Sequence, residues 1–165
     1  MDERLLGIDP GLRITGYAVL NITRQGPELC EAGVLRGGDG PLELRLKTLH
    51  QSLLEVIDQY GPKAMAVEQL YAHYKHPRTA IIMGHARGAM LLAASLRDIP
   101  TFSYSATQVK KLISGAGRAS KEQIQHVVAQ EMGLSAPPEP PDVADAMAVA
   151  LCHYYATLRG GDVVR

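Results

Sequence analysis

The amino-acid sequence predicts an α/β fold in which helices flank a mixed five-stranded β-sheet. Three observations indicate this class. Three β-rich segments follow one another near the N-terminus with only short turns between them, as in an antiparallel meander. Segments with apolar residues at helical spacing then alternate with two short apolar runs, which is typical of parallel crossovers. The sequence ends in three consecutive helical segments, so the predicted order is βββ-α-β-α-β-α-α-α.

The N-terminal meander is predicted from apolar runs and the turn residues between them. Residues 4–9 form a short apolar run, and residues 15–22, "TGYAVLNI", are rich in β-forming side chains. Residues 28–36, "ELCEAGVLR", follow Gln25-Gly26-Pro27 and precede "GGDGP". Runs bounded by such Gly- and Pro-rich turns are typical of strands, so we expect three strands here.

The rest of the chain alternates helices with two further strands. The first helix is predicted over 41–60, where apolar residues recur at helical spacing between Pro41 and Gly61-Pro62. We expect strands at 64–69 and 100–104 and helices at 78–97, 105–114, 120–132 and 142–158. The Pro-rich "SAPPEPP" is a rigid linker to the last helix. A chain of 165 residues fits one domain, expected over 1–165 with 159–165 as a flexible tail.

The composition predicts a cytoplasmic protein without a membrane partner. No stretch approaches the run of about 20 apolar residues that spans a bilayer, and the acidic start "MDERLLGID" does not resemble a signal peptide. Cys30 and Cys152 lie in apolar segments without CxxC spacing. We expect both to be reduced, small core residues.

The charges are segregated along a chain whose net charge is zero. Residues 71–126 contain eight Lys or Arg and only two Asp or Glu, whereas acids predominate on both sides. A neutral protein with such a segment can present a positive face to an anion. The alternative is that these side chains are ordinary solvated residues on several surfaces.

Four carboxylates stand at the edges of apolar segments. Asp9 and Glu68 end the first and fourth predicted strands, and Asp142 and Asp145 open the alanine-rich last helix three residues apart, on one face. Singly, they could be a turn former, a solvated strand end, a helix cap and a solvent-facing acid. Jointly they favour one cluster, because strands 1 and 4 are neighbours in the common fold with this element order.

A cluster of carboxylates indicates a divalent-cation site. Anions a few ångströms apart must take up protons or cations. No cysteine and no His-x₃-His pair accompanies these acids, and an all-oxygen set suits Mg²⁺ or Mn²⁺ better than zinc. Two such ions about 3.5–4 Å apart can stabilise the attacking and leaving oxygens of a phosphodiester displacement. The residues therefore point to a nuclease.

Five segments, in order over residues 4–155, carry a resemblance to a known family. They are "GIDPGLRITGYAV", "AVEQLY", "GHARG", "TQVKKLISGAGRASKEQIQHVV" and "DVADAMAVA". Together they resemble the RuvC Holliday-junction resolvases of bacteria. The resemblance implies a ribonuclease H-like fold and a homodimer that cuts four-way DNA junctions with Mg²⁺ or Mn²⁺, two ions per active site. It also implies symmetric nicks in two strands of like polarity that leave ligatable 5′-phosphate ends, and cooperation with the RuvA–RuvB branch-migration complex.

The same resemblance implies roles for individual residues. Asp9, Glu68, Asp142 and Asp145 would be the catalytic, metal-binding acids, with Asp9 shared between both ions and water as the nucleophile. The implied DNA-binding residues are Tyr71, Arg78, Lys110, Lys111 and Lys121.

These DNA contacts differ in kind. Lys110 and Lys121 would hold phosphates, and Lys111 would add a supplementary contact. Tyr71 would stack on an unpaired base, or else be a core or rim aromatic. Arg87 would contact DNA or form a structural ion pair.

The predicted helix 78–97 contains Gly84 and Gly88. Glycine inside a helix costs about 1 kcal/mol, so close packing is expected there, either within one subunit or at the dimer interface that the resemblance implies.

Three other functions compete with a junction resolvase. A ribonuclease H or a YqgF-type nuclease would use the same acids on an RNA–DNA hybrid or on structured RNA. An actin-like or sugar-kinase ATPase would place the early Asp-x-Gly turn against phosphate, but needs two such domains. A junction-binding protein with an inactive site is disfavoured by the presence of all four acids.

Overall fold

The computed structural model describes residues 3–70, 75–158 and 160 and confirms the predicted α/β class. Its five strands form one mixed sheet in the order β3-β2-β1-β4-β5. They are β1 (Glu3–Asp9), β2 (Ile14–Thr23), β3 (Gly26–Arg36), β4 (Ala64–Glu68) and β5 (Thr101–Tyr104). The first three strands are antiparallel, and β4 and β5 extend the sheet in parallel with β1.

In the described part of the chain, five helices cover the two faces of this sheet. They are α1 (Leu42–Tyr60), α2 (Pro77–Ser95), α3 (Ala106–Ser114), α4 (Lys121–Glu131) and α5 (Pro141–Leu158). One core lies between the sheet and α1 and α2, and contains Leu6, Ile8 and Val67. A second core packs α3, α4 and α5 around Ala66 and Tyr104. Alternate residues of β1 and β4 point to opposite faces, each covered by helices, which explains why residues 5–8 of β1 and 64–67 of β4 are all apolar or glycine.

Most of the predicted elements are present, with boundaries that shift by one or two residues. The largest differences are at β3, which begins at Gly26, and at α2, which ends at Ser95. Pro27 lies within β3, opposite Ile22. Proline is tolerated there because β3 is an edge strand with one side free of partners.

Two further sequence predictions concern the cysteines and the membrane. Both cysteines are free, and Cys152 is buried as expected, but Cys30 is only half-buried because it lies on the edge strand β3. Among the described residues, none of the helices combines the length and apolarity that crossing a bilayer requires.

Candidate active site

Asp9 and Glu68 lie at neighbouring strand ends. Ile8 of β1 is the register partner of Val67 of β4, and the two acids are the next and last residues of these strands. Parallel strands end at the same edge of a sheet, so the backbone brings the two carboxylates to one place. The predicted adjacency of the first and fourth strands is confirmed.

Thr15 fixes the turn that follows Asp9. It is fully buried, and its hydroxyl donates to the carbonyl oxygen of Gly11 at 2.7 Å while accepting from the Gly11 N–H at 3.2 Å. Two hydrogen bonds thus close the loop between β1 and β2. The strand end that carries Asp9 is therefore held by a rigid turn.

Helix α5 brings Asp142 and Asp145 to this edge by lying directly on the backbone of the sheet. A methyl group at Gly16 of β2 would overlap the carbonyl oxygen of Asp142, and one at Gly7 of β1 would overlap that of Ala146. Glycine is needed at both places because the helix leaves no room for a side chain. The helix begins at Pro141, so Asp142 is a first-turn residue and not the N-cap.

All four acids line one cavity of about 480 Å³ at the end of the sheet. Lys110 of α3 and Lys121 of α4 line the same cavity. The strand ends supply two carboxylates, α5 supplies two more, and α3 and α4 supply one lysine each. The predicted cluster of four acids and two lysines is therefore a spatial cluster.

The electrostatics of this cavity disfavour four simultaneous negative charges. Burial raises the pKa of Asp9 to about 8, and the charges of the other three acids contribute to that shift. Burial also raises the pKa of Glu68 and of Asp145, against the opposing effect of Lys121. A cation bound in this cavity would stabilise the ionised form of these carboxylates.

Lys121 is placed by the start of α4. Ser120 caps this helix in a reciprocal capping box with Gln123, which fixes the first turn. From there Lys121 Nζ forms a 3.0 Å ion pair with Asp145 Oδ2. The hydrogen bond to Asp145 raises the pKa of Lys121. Lys110 also lowers the pKa of Glu68, so both lysines act on the acids.

The donor set fits Mg²⁺ or Mn²⁺ in chemistry and in charge. The four side chains offer only carboxylate oxygens, which these ions prefer, and a bound cation would offset the burial and the neighbouring acids that raise the pKa of Asp9. Within the described ranges, no three His, Cys, Asp or Glu side chains converge as the ligands of one ion would. Asp145 is instead engaged by Lys121.

The other predicted DNA contacts lie outside this cavity. Lys111 is exposed in the last turn of α3, and Arg78 is exposed at the start of α2. Tyr71 lies outside the described residues. Arg87 does not form an ion pair within the described residues. The two ion pairs there are Arg97–Asp58 and Lys121–Asp145.

The outer face of α2 and its C-cap expose three large apolar side chains, with the exposed His85 on the same face. Ile81, Leu92 and Leu96 are 62%, 53% and 54% exposed, respectively. A methyl group at Gly88 would meet no atom within 4 Å, and one at Gly84 would make only an ordinary contact with Leu70. Packing within the described chain therefore does not explain the glycine at position 88.

Sequence reasoning missed the residues that position the acids. Gly7, Gly16 and Thr15 stand within the two N-terminal strands, where a glycine in an apolar strand is the one available signal of a close backbone approach. It also missed a buried contact beside Glu68. Tyr104 is the register partner of Glu68, and its hydroxyl shares a 2.6 Å hydrogen bond with Nδ1 of His153 on α5.

Comparison with known proteins gives one consistent family. The family model described as "Crossover junction endodeoxyribonuclease RuvC" matches residues 5–153. A RuvC of Rhodopirellula baltica is 51% identical, over 92% of this chain and 85% of its own. A RuvC of Desulforamulus reducens is 47% identical, over 90% and 91%. The structure of Thermus thermophilus RuvC with a Holliday junction substrate superposes with a TM-score of 0.89 at 32% identity, covering 96% of each chain.

Proposed function

The chain belongs to the RuvC family of crossover junction endodeoxyribonucleases, and we propose that its four clustered acids carry the activity of that family. It is accordingly a Holliday-junction endonuclease of recombination and DNA repair. The observation that carries the assignment of the site is the single cavity that contains Asp9, Glu68, Asp142 and Asp145. We assign catalysis to these four residues. We also propose that residues 1–165 form a single nuclease domain.

The four carboxylates would hold two Mg²⁺ or Mn²⁺ ions. Bound ions of this kind stabilise both the attacking and the leaving oxygens of a phosphodiester displacement. Asp9 would be shared between the ions, as the family resemblance implies, and it lines the cavity together with the other three acids. Glu68, Asp142 and Asp145 complete the two ligand sets. Water is the nucleophile.

The lysines of the cavity hold the DNA strand over the acids. Lys110 and Lys121 lie beside the carboxylates, where an ammonium group can bind a phosphate oxygen and stabilise the charge that develops during cleavage. Lys111 and Arg78 are exposed and make outer contacts with the DNA backbone. Tyr71, three residues after Glu68, stacks on an unpaired base of the junction.

A homodimer matches the two-fold pattern of the substrate. The exposed apolar face of α2, formed by Ile81, Gly88, Leu92 and Leu96, is the surface that we assign to the partner subunit. Two active sites related by a two-fold axis would nick two strands of like polarity symmetrically and leave ligatable 5′-phosphate ends. In the cell we place this dimer in the cytoplasm, acting with the RuvA–RuvB complex.

The experiment that tests the assignment compares three substrates with and without Mg²⁺. We expect paired nicks in a synthetic mobile four-way junction, and no cutting of linear duplex or of an RNA–DNA hybrid. Asp9→Asn should abolish cleavage and leave junction binding intact, because the carboxylate serves the ions and not the DNA. Full cutting by this variant would refute the site, and cutting of the hybrid alone would refute the substrate.

A further inference from the structure

Arg87 carries a positive charge that no carboxylate of the described chain neutralises. Its Nη2 donates to Ser103 Oγ of β5 at 2.8 Å, but it belongs to neither of the two ion pairs in the described residues. Its Nε is buried and has no hydrogen-bond acceptor in that part of the molecule. A buried donor without an acceptor is costly, especially on a charged group.

Burial alone acts on this guanidinium. It lowers the pKa of Arg87, and no charged neighbour contributes to the shift. The side chain nevertheless stays protonated at any physiological pH. The cations that lower the pKa values of the acids are Lys121 for Asp9, and Lys121 and Lys110 for Glu68. The charge of Arg87 is therefore available to a ligand.

Arg87 lines a second cavity, of about 560 Å³, that adjoins the acid cavity. The two cavities share five residues on their walls, which are Asp9, Pro10, Glu68, Met83 and Ala106. Lys110 and Lys121 line the first cavity, and Arg87 lines the second. A strand that lies over the acids and continues into the second cavity would thus meet both the lysines and Arg87.

The first turn of α3 lines the same second cavity. Ser105, Ala106 and Thr107 contribute to its wall, and Ser105 caps this nine-residue helix. The N-terminus of a helix favours an anion through its dipole and its free N–H groups, and the capping box of α3 occupies only the N–H groups of Ser105 and Gln108. Together with the guanidinium of Arg87, this turn makes the cavity attractive to a singly charged oxyanion.

We propose that Arg87 and the first turn of α3 bind a DNA phosphate adjacent to the one that is cut. The inference rests on the proposed function, since it takes the acid cavity as the place of cleavage. It assigns the second cavity as a phosphate subsite that holds the strand next to the acid cavity. Arg87 is a binding residue in this arrangement and takes no part in bond breaking.

A purely structural role would give a different behaviour. If Arg87 only joined α2 to β5, its hydrogen bond to Ser103 would be its whole contribution. Ser103→Ala removes that bond and keeps the guanidinium, so it is the matched control for Arg87→Gln. Arg87→Lys keeps the positive charge but lacks the planar guanidinium with its several N–H donors. It provides a second variant should Arg87→Gln fold poorly.

The test measures binding to four-way junctions that each carry one neutral methylphosphonate linkage, placed in turn within three linkages on either side of the cut. EDTA is present so that no cleavage occurs. For the parent protein we expect one position next to the cut to weaken binding about ten- to a hundredfold. In Arg87→Gln the same substitution should have no further effect, whereas Ser103→Ala and Arg87→Lys should keep the sensitivity of the parent.

The salt dependence of binding gives an independent readout. Losing one phosphate contact should reduce the slope of log K against log [salt] by about 0.7–0.9 in Arg87→Gln and leave it unchanged in Ser103→Ala. If the losses of junction affinity caused by Arg87→Gln and by each neutral linkage simply add, the inference is overturned. Equal losses of affinity in Arg87→Gln and Ser103→Ala would overturn it as well. Mg²⁺-dependent cutting by Asp9→Asn in parallel would instead overturn the proposed site, so the two failures are distinguishable.

Discussion

Lys121 Nζ lies 3.0 Å from Asp145 Oδ2, so the first residue of α4 is joined to an acid of α5 at the edge of the sheet. The pair brings a cation into a cavity that otherwise contains four carboxylates. It lowers the pKa of Asp145 against the larger effect of burial. The lysine therefore helps to keep the acid ionised in the absence of divalent ions.

Replacing Lys121 by Met should reduce cleavage about a hundredfold and move the acidic limb of the pH–rate profile to higher pH. Lys121 lowers the pKa of both Asp145 and Glu68, so without it these carboxylates stay protonated to higher pH. Initial cleavage rates between pH 5 and 9 at fixed Mg²⁺ measure both effects. Lys47→Met, which alters an exposed lysine of α1 that has no assigned DNA contact, is the control. An acidic limb that does not move would contradict the electrostatic role of Lys121.

Asp9→Asn should stabilise the metal-free protein at pH 8 by several kcal/mol. The pKa of Asp9 rises from 3.8 to about 8 on folding, so between these values the folded chain holds a proton that the unfolded chain has released. The stability of the parent should therefore fall as the pH rises through this window, and the variant should lack that fall.

Urea unfolding in EDTA at a series of pH values measures this difference. Asp39→Asn, at an exposed acid before α1, is the control and should follow the parent. Identical pH dependence in the parent and in Asp9→Asn would show that burial at this site does not disfavour the charge.

Gly16→Ala should reduce cleavage up to about a hundredfold while changing junction affinity little. The added methyl group overlaps the carbonyl oxygen of Asp142, so the start of α5 must move and carry Asp142 with it. Gly26→Ala is the matched control, because Gly26 has a φ of +129° and open space around it, at the far edge of the sheet. It should lower stability through backbone strain and leave cleavage unchanged; a similar catalytic loss in both variants would argue against a positioning role for Gly16.

The double variant Ile81→Glu, Leu92→Glu should be a monomer that no longer makes paired nicks. Two charges on the exposed face of α2 would oppose burial of this face against a second copy. Sedimentation and the ratio of doubly to singly nicked junction measure the result. Leu44→Glu, at a residue of α1 that is 53% exposed, is the control. A dimer that survives the double change must use another surface.

Tyr104→Phe should lower the free energy of unfolding by about 1–3 kcal/mol. The change deletes the hydroxyl that is hydrogen-bonded to His153, and both residues are buried. Tyr155→Phe removes a hydroxyl from an exposed hydrogen bond with Glu131 and should cost much less. Urea unfolding compares the two, and equal losses would mean that burial does not strengthen the Tyr104 contact.

The sequence by itself determined the fold class and the candidate acids. Apolar period and turn residues act locally, so they define strands and helices without any knowledge of their neighbours. An acid that ends a buried strand, such as Asp9 or Glu68, is costly unless something compensates it, and that cost is visible in the sequence alone. The alanine-rich start of α5 likewise predicted its close approach to the sheet.

Only the tertiary structure decided how these residues meet. Three contacts join separate segments of the chain. They are the close approach of Gly16 to Asp142, the ion pair of Lys121 with Asp145 and the hydrogen bond of Arg87 with Ser103. Such contacts depend on the relative positions of packed elements, which no local pattern encodes. The acids could therefore be identified from the sequence. Their shared cavity, and the adjoining cavity lined by Arg87, could be found only after β1, β4, α2 and α5 had been placed together.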